Sequence, residues 1–124
     1  MEIRRVNGKK GNKIELVNES WSTSRSWGHK TNVIINGCDY GKYKVRYYNR
    51  TWESYTFQSC MRGAIAKVMR YNITRYLENY KYTNNITRFK KGQREELIKE
   101  YKESNDLMLD LEQTIQAIRD RTFN

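Results

Sequence analysis

One stretch of the chain combines residue types and a spacing that could do chemistry, namely Tyr40-Gly41-Lys42-Tyr43-Lys44-Val45-Arg46-Tyr47-Tyr48-Asn49-Arg50-Thr51-Trp52. Alternate side chains of an extended strand share a face. Lys42, Lys44 and Arg46 therefore fall side by side, and Tyr48, Arg50 and Trp52 continue the chain beyond them. Cations meet phosphate oxygens and aromatic faces stack on bases, and a nucleic-acid surface needs both. Lys42, Lys44, Arg46, Tyr48 and Arg50 are accordingly the expected partner-binding residues. The same cationic alternation also keeps an exposed sheet face soluble, so the pattern is compatible with a purely structural face.

Catalytic chemistry has weaker candidates. The one histidine, His29, lies in Trp27-Gly28-His29-Lys30 beside a glycine and a cation, and reads as a turn or surface residue rather than a general base. Cys60 stands at the start of a predicted helix, where a thiol pKa can fall, but a buried helix cysteine accounts for it more simply. Cys38 and Cys60 lie 22 apart with one histidine in the chain, too few soft ligands for zinc. Both are expected as reduced thiols. The acidic residues Glu95, Glu96, Glu100, Glu103, Asp106, Asp110 and Glu112 include pairs spaced three or four apart that could approach a metal. Solvated charge on the outside of a helix explains them better. No glycine-rich phosphate loop or dinucleotide fingerprint is present. No catalytic residue, metal or cofactor is expected.

Hydrophobic periodicity defines the elements that would position the cationic run. Ile14 and Leu16 alternate with Lys13 and Glu15 as in a half-buried strand. Trp21 to Trp27 also alternates, placing both Trp and Arg25 on one face and three Ser on the other, as a strand or an ordered loop. The β-branched run Thr31 to Ile35 ends at Asn36-Gly37, a strong turn signal because both residues tolerate positive φ. Lys42 to Tyr48 then resumes alternation, with Tyr43, Val45 and Tyr47 opposite the cations. These two segments predict a hairpin with Gly37 to Gly41 as its loop.

From about Thr56 the period becomes helical: Phe57, Met61, Ile65, Val68, Met69, Ile73, Tyr76, Leu77 and Tyr80 form an apolar stripe, with Arg62, Lys67, Arg70 and Arg75 outward. Thr83-Asn84-Asn85 and Gly92 bracket a short basic link. A second helix is predicted from Gln93 to Arg119, where Leu97, Tyr101, Met108, Leu111, Ile115 and Ile118 follow heptad spacing and Ser104 stands in one core slot. Such a seam either folds back on the chain or forms a homodimer. The expected fold is α+β in a single domain, 1–124: a small antiparallel sheet of three to four strands over 1–55, a first helix over 56–82 packed on it, and a second over 93–119.

Composition agrees with a folded chain. Hydrophobic residues make up only 37%, but ten Tyr, three Trp and three Phe compensate, and disordered sequences lack these. No apolar run approaches the roughly 18 residues that span a bilayer, and no apolar stretch follows the charged start. A soluble, cytoplasmic protein without membrane contact is expected. The four Asn-X-Ser/Thr matches at Asn18, Asn49, Asn72 and Asn85 then have no glycosylation route and read as chance. The net charge is +10, unevenly spread: residues 1–91 hold 19 Lys and Arg against 6 Asp and Glu, whereas residues 92–124 hold 5 against 8.

The run Lys44-Val45-Arg46-Tyr47-Tyr48-Asn49-Arg50-Thr51-Trp52-Glu53-Ser54-Tyr55-Thr56-Phe57-Gln58-Ser59-Cys60-Met61 resembles a segment shared by small uncharacterised proteins of phages and prophages. The likeness covers roughly residues 21 to 70 and centres on Asn49-Arg50-Thr51-Trp52-Glu53. Locally, Asn and Thr favour a turn from strand to helix, Trp52 can anchor it, and Glu53 suits a helix N-terminus. The resemblance implies a bacterial host cell as the setting. Phage proteins of this size that act on the host are often stoichiometric inhibitors of defence systems, anti-CRISPR proteins among them. The function so implied is stoichiometric inhibition of a host nucleic-acid-processing or defence complex, such as a CRISPR nuclease. The strong positive charge excludes a mimic of duplex DNA, so the partner would be a host nuclease complex or nucleic acid. Two alternatives stand beside it: sequence-independent DNA or RNA binding, and assembly through the heptad helix.

Overall fold

In a computed structural model that describes residues 1–47 and 57–123, the chain has the expected α+β order. Four strands, β1 (Glu2–Asn7), β2 (Lys13–Ser22), β3 (Trp27–Ile35) and β4 (Cys38–Tyr47), precede three helices, α1 (Phe57–Thr83), α2 (Gln93–Ser104) and α3 (Asp106–Asp120). The strands form one antiparallel sheet in the order β1-β2-β3-β4. The period-2 pattern decides its faces: Ile14, Leu16, Val33 and Ile35 point inward and are almost wholly buried. Met61, Ile65, Val68 and Met69 of α1 and Met108, Leu111 and Ile118 of α3 complete the core. Each fully buried aliphatic side chain of this kind contributes about 1.5–3 kcal/mol.

Asn36 and Gly37 take φ of 53° and 83°, and Cys38 already pairs with Ile35. The β3–β4 loop is therefore a two-residue turn, shorter than the Gly37 to Gly41 loop expected, because this Asn-Gly pair suffices to reverse the chain. Gly41, at φ 105°, serves a different purpose. Asn32 pairs with Lys42 but Ile34 with Asp39, so Tyr40 and Gly41 together oppose Val33 in a β-bulge. The Gly41 amide donates to Asp39 Oδ1 at 2.7 Å, which closes the bulge.

The predicted second helix is broken. Asn105, with φ −89° and ψ 123°, leaves helical geometry and accepts the Met108 amide on its side chain, acting as the N-cap of α3. Satisfying that orphan donor, with Asp106 in the first turn, outweighs one more helical residue. Ser104 is exposed, its hydroxyl donating to Glu100 O at 2.7 Å, and fills no core slot. The heptad seam is occupied inside the chain. Met108, Leu111 and Ile118 are fully buried, Leu97 is 8% exposed, Ile115 packs on the core, and Tyr101 stacks on Tyr76 at 4.4 Å.

One acidic residue of that segment is not solvated. Asp110 is 1% exposed and accepts from Lys10 N (2.9 Å), Asn12 N (3.0 Å) and Asn12 Nδ2 (2.8 Å), clasping the β1–β2 turn. Gly8 is required there, since a Cβ would fall within the Asp110 carboxyl group. Gln113 extends the clasp, accepting from Lys9 N at 2.9 Å and donating to Asn7 O at 3.3 Å. Asp110→Ala should destabilise the fold by about 2 kcal/mol, because it strands the turn's donors. Exposed Glu112→Ala should stay within about 0.5 kcal/mol. Equal urea midpoints for the two variants would refute the clasp.

Candidate nucleic-acid interface

The outer face of the sheet is built in rows that cross three strands. Trp21 of β2 pairs with Gly28 of β3, which pairs with Arg46 of β4. The next rows are Glu19, Lys30 and Lys44, and then Val17, Asn32 and Lys42. Lys42, Lys44 and Arg46 are thus brought together on one exposed face, while Tyr43, Val45 and Tyr47 are half-buried on the other. Tyr48 and Arg50 lie outside the described residues, as does the Asn49 to Glu53 motif.

Trp21 is the member of this surface that sequence reasoning left unassigned, and the Thr23 to Ser26 turn sets it on the outer face and Trp27 on the inner one, not together on one face as the alternation predicted. A Cβ at Gly28 would run into the Val45 carbonyl and approach the Trp21 ring to 2.8 Å. The indole therefore lies against bare backbone, and its Nε1 donates to His29 O at 3.2 Å. Lys44 Nζ and Arg46 Cζ stand 5.1 Å and 5.3 Å from the ring, within cation–π range. The recoverable signal was Trp21 facing Gly28 in a hairpin whose turn, Thr23 to Ser26, is tied by Thr23 N to Ser26 O at 2.7 Å. Lys30 is neutralised by Glu19 at 3.1 Å. Among the described residues, Lys42, Lys44 and Arg46 form no salt bridge. Of the outward helix cations, Lys67 reaches this strand, donating to Lys42 O at 3.1 Å.

His29 is neither a turn nor a surface residue. It sits mid-strand on the inner face, 5% exposed, with ring centroids of Phe57, Trp27 and Tyr47 at 4.1, 5.8 and 5.9 Å. Period-2 parity with the buried Thr31 and Val33 places it there. Nδ1 is 3.4 Å from Ser20 Oγ, and Nε2 has no partner among the described residues. Burial holds its pKa below the ordinary 6.5. Cys60 is the buried helix cysteine expected, its thiol 3.5 Å from Tyr43 O and its pKa raised by burial, whereas Cys38 is exposed. Both are free thiols. Among the described residues no three His, Cys, Asp or Glu side chains cluster as metal ligands, and no helix is long and apolar enough to cross a membrane. No family model, no curated protein and no solved structure matches the chain.

Two measurements follow from the buried groups. Burial disfavours the charged form of His29 in the fold while the unfolded chain takes the proton more readily, so its contribution is present above pH 6.5 and is lost as pH falls below it. Thermal stability of the wild type should therefore decline relative to His29→Phe on acidification from neutral pH; parallel curves would contradict the burial. Iodoacetamide should label Cys38 alone in the native protein and both thiols in denaturant, and rapid native labelling of Cys60 would contradict its packing.

Proposed function

We propose that the protein binds single-stranded nucleic acid, without sequence readout, across the outer face of its sheet. The observation that carries this reading is the Trp21 indole resting on Gly28, in one row with Arg46 and beside Lys44. A base stacked on an aromatic ring gains about 1–3 kcal/mol whatever its identity, because every base has a π-face. Lys42, Lys44 and Arg46, without carboxylate partners among the described residues, suit the phosphates that flank such a base. A four-stranded sheet, about 14 Å across, does not enter a major groove about 12 Å wide. It does accept unstacked bases laid on its surface, the mode used by sheet-based readers of single strands.

Tyr48 and Arg50 would extend the contact beyond β4. The phage-type inhibitor implied by the resemblance would act through the same face: gripping a guide RNA or a displaced DNA strand obstructs the complex that needs it.

Fluorescence anisotropy with labelled oligothymidylate and oligouridylate tests the reading. Binding should weaken linearly in log–log salt plots, and Lys42→Ala, Lys44→Ala and Arg46→Ala should each flatten the slope by about 0.7. Trp21→Ala should lower affinity by about tenfold or more while leaving the slope unchanged. Absence of any complex at about 50 mM salt, where phosphate contacts are strong, would remove the proposal.

A further inference from the structure

A cleft of about 310 Å³ opens between β4 and α1, lined by Asp39, Tyr40, Lys67, Val68 and Tyr71. Its two rings are among the exposed large hydrophobic side chains of the described residues, Tyr40 at 43% and Tyr71 at 59%. Val68, 5% exposed, offers an apolar wall. The bulge explains why Tyr40 is available here: it opposes Val33, which points inward, so the ring leaves the outer face and turns over the β4 edge toward α1. Arg75 lies 5.7 Å from the Tyr71 ring, the same pairing of cation and ring as at Trp21.

We infer that this cleft is a second base-stacking subsite for the same single strand, reached by passing round the β4 edge. The inference rests on the sheet-face binding proposed above and adds its path and its length. From Arg46 to Tyr40 the strand spans six residue steps, about 20 Å, with Lys44 and Lys42 between them. Lys67 sits at the corner. Its ammonium uses one of three donors on Lys42 O, which leaves two for a phosphate passing from the sheet face to the cleft. Asp39 selects what enters. Its carboxylate accepts the Gly41 amide and repels phosphate, so the cleft takes the neutral base and leaves the phosphate to Lys42 and Lys67. Two exposed tyrosines flanking a cleft cost the fold apolar exposure, and a base between them would cover both.

Affinity for oligothymidylates and oligouridylates of graded length tests the path. In the wild type, affinity should rise with length until the strand reaches from Trp21 to the cleft. Tyr71→Ala and Tyr40→Ala, both exposed positions whose folding is checked by thermal melting, should cost about tenfold for long oligomers. They should cost nothing for oligomers too short to span. Trp21→Ala should weaken both, and Tyr82→Ala, 90% exposed at the end of α1, should weaken neither. Wild-type affinity of both cleft variants for long strands would assign the cleft to another occupant and overturn the inference, with the sheet-face reading intact. A wild type that binds no strand of any length would overturn both.

Discussion

Because side chains alternate along a strand, the one extra residue at Tyr40-Gly41 decides which face of β4 carries charge. Asp39 pairs with outward Ile34; an unbroken ladder would then place Gly41, Tyr43, Val45 and Tyr47 outward and turn Lys42, Lys44 and Arg46 onto α1. The bulge reverses that parity. Tyr43 then packs against the core, with Gly63 of α1 leaving room for its ring, and Cys60 approaches the Tyr43 carbonyl. The cations emerge together on the solvent side. Gly41 makes the reversal easy, since its φ of 105° is costly for any residue with a Cβ.

The inner face shows what fixes the alignment of the sheet. At one end the core is aliphatic, Ile14, Leu16, Val33 and Ile35 against α1 and α3. Toward the other it turns polar: Thr31 donates to Asn18 at 2.6 Å, and Asn18 in turn approaches Met61 Sδ at 3.4 Å. Both are fully buried, so losing either partner would leave an unpaired group at a cost of about 1–3 kcal/mol. Such a pair specifies one register between β2 and β3, and the same register sets Trp21 over Gly28 on the opposite face. Inner packing and outer geometry are two consequences of a single strand alignment.

Much of this was legible from the residues, and the failures have physical causes. The alternation in Lys42 to Tyr47 gave both faces of that part of β4, and the stripe from Phe57 gave α1 to within a residue, because a period sustained over many residues leaves little room for another element. β1 had no such signal: of its six residues only Val6 is buried, and its place depends on pairing with β2. Heptad spacing across Ser104 suggested one helix, since periodicity does not sense a cap that ends one helix and begins the next. Asp110 looked like its acidic neighbours because its partners lie about a hundred positions away. Trp21 and the Tyr40–Tyr71 cleft depend likewise on cross-strand register and on a helix crossing the sheet edge, neither of which is written in local spacing.

Charge placement gives the platform a direction. The exposed acids Glu95, Glu96, Glu100, Glu103 and Glu112 lie on α2 and α3, which pack on α1, whereas the outer sheet face lies on the side away from α1. Among the described residues, the unpaired cations of β4 and the exposed acids of the last two helices therefore lie on different sides of the fold. Helices α2 and α3 bear a net negative charge that would repel phosphate, so on the proposed path a strand following the β4 edge would be drawn along the Lys42–Lys67 corner and discouraged from continuing over α3. The asymmetry that appeared in the sequence as a basic body and an acidic end is, in the fold, a separation of cationic sheet face from acidic helices, and under the proposed function it would restrict where a nucleic-acid strand can go.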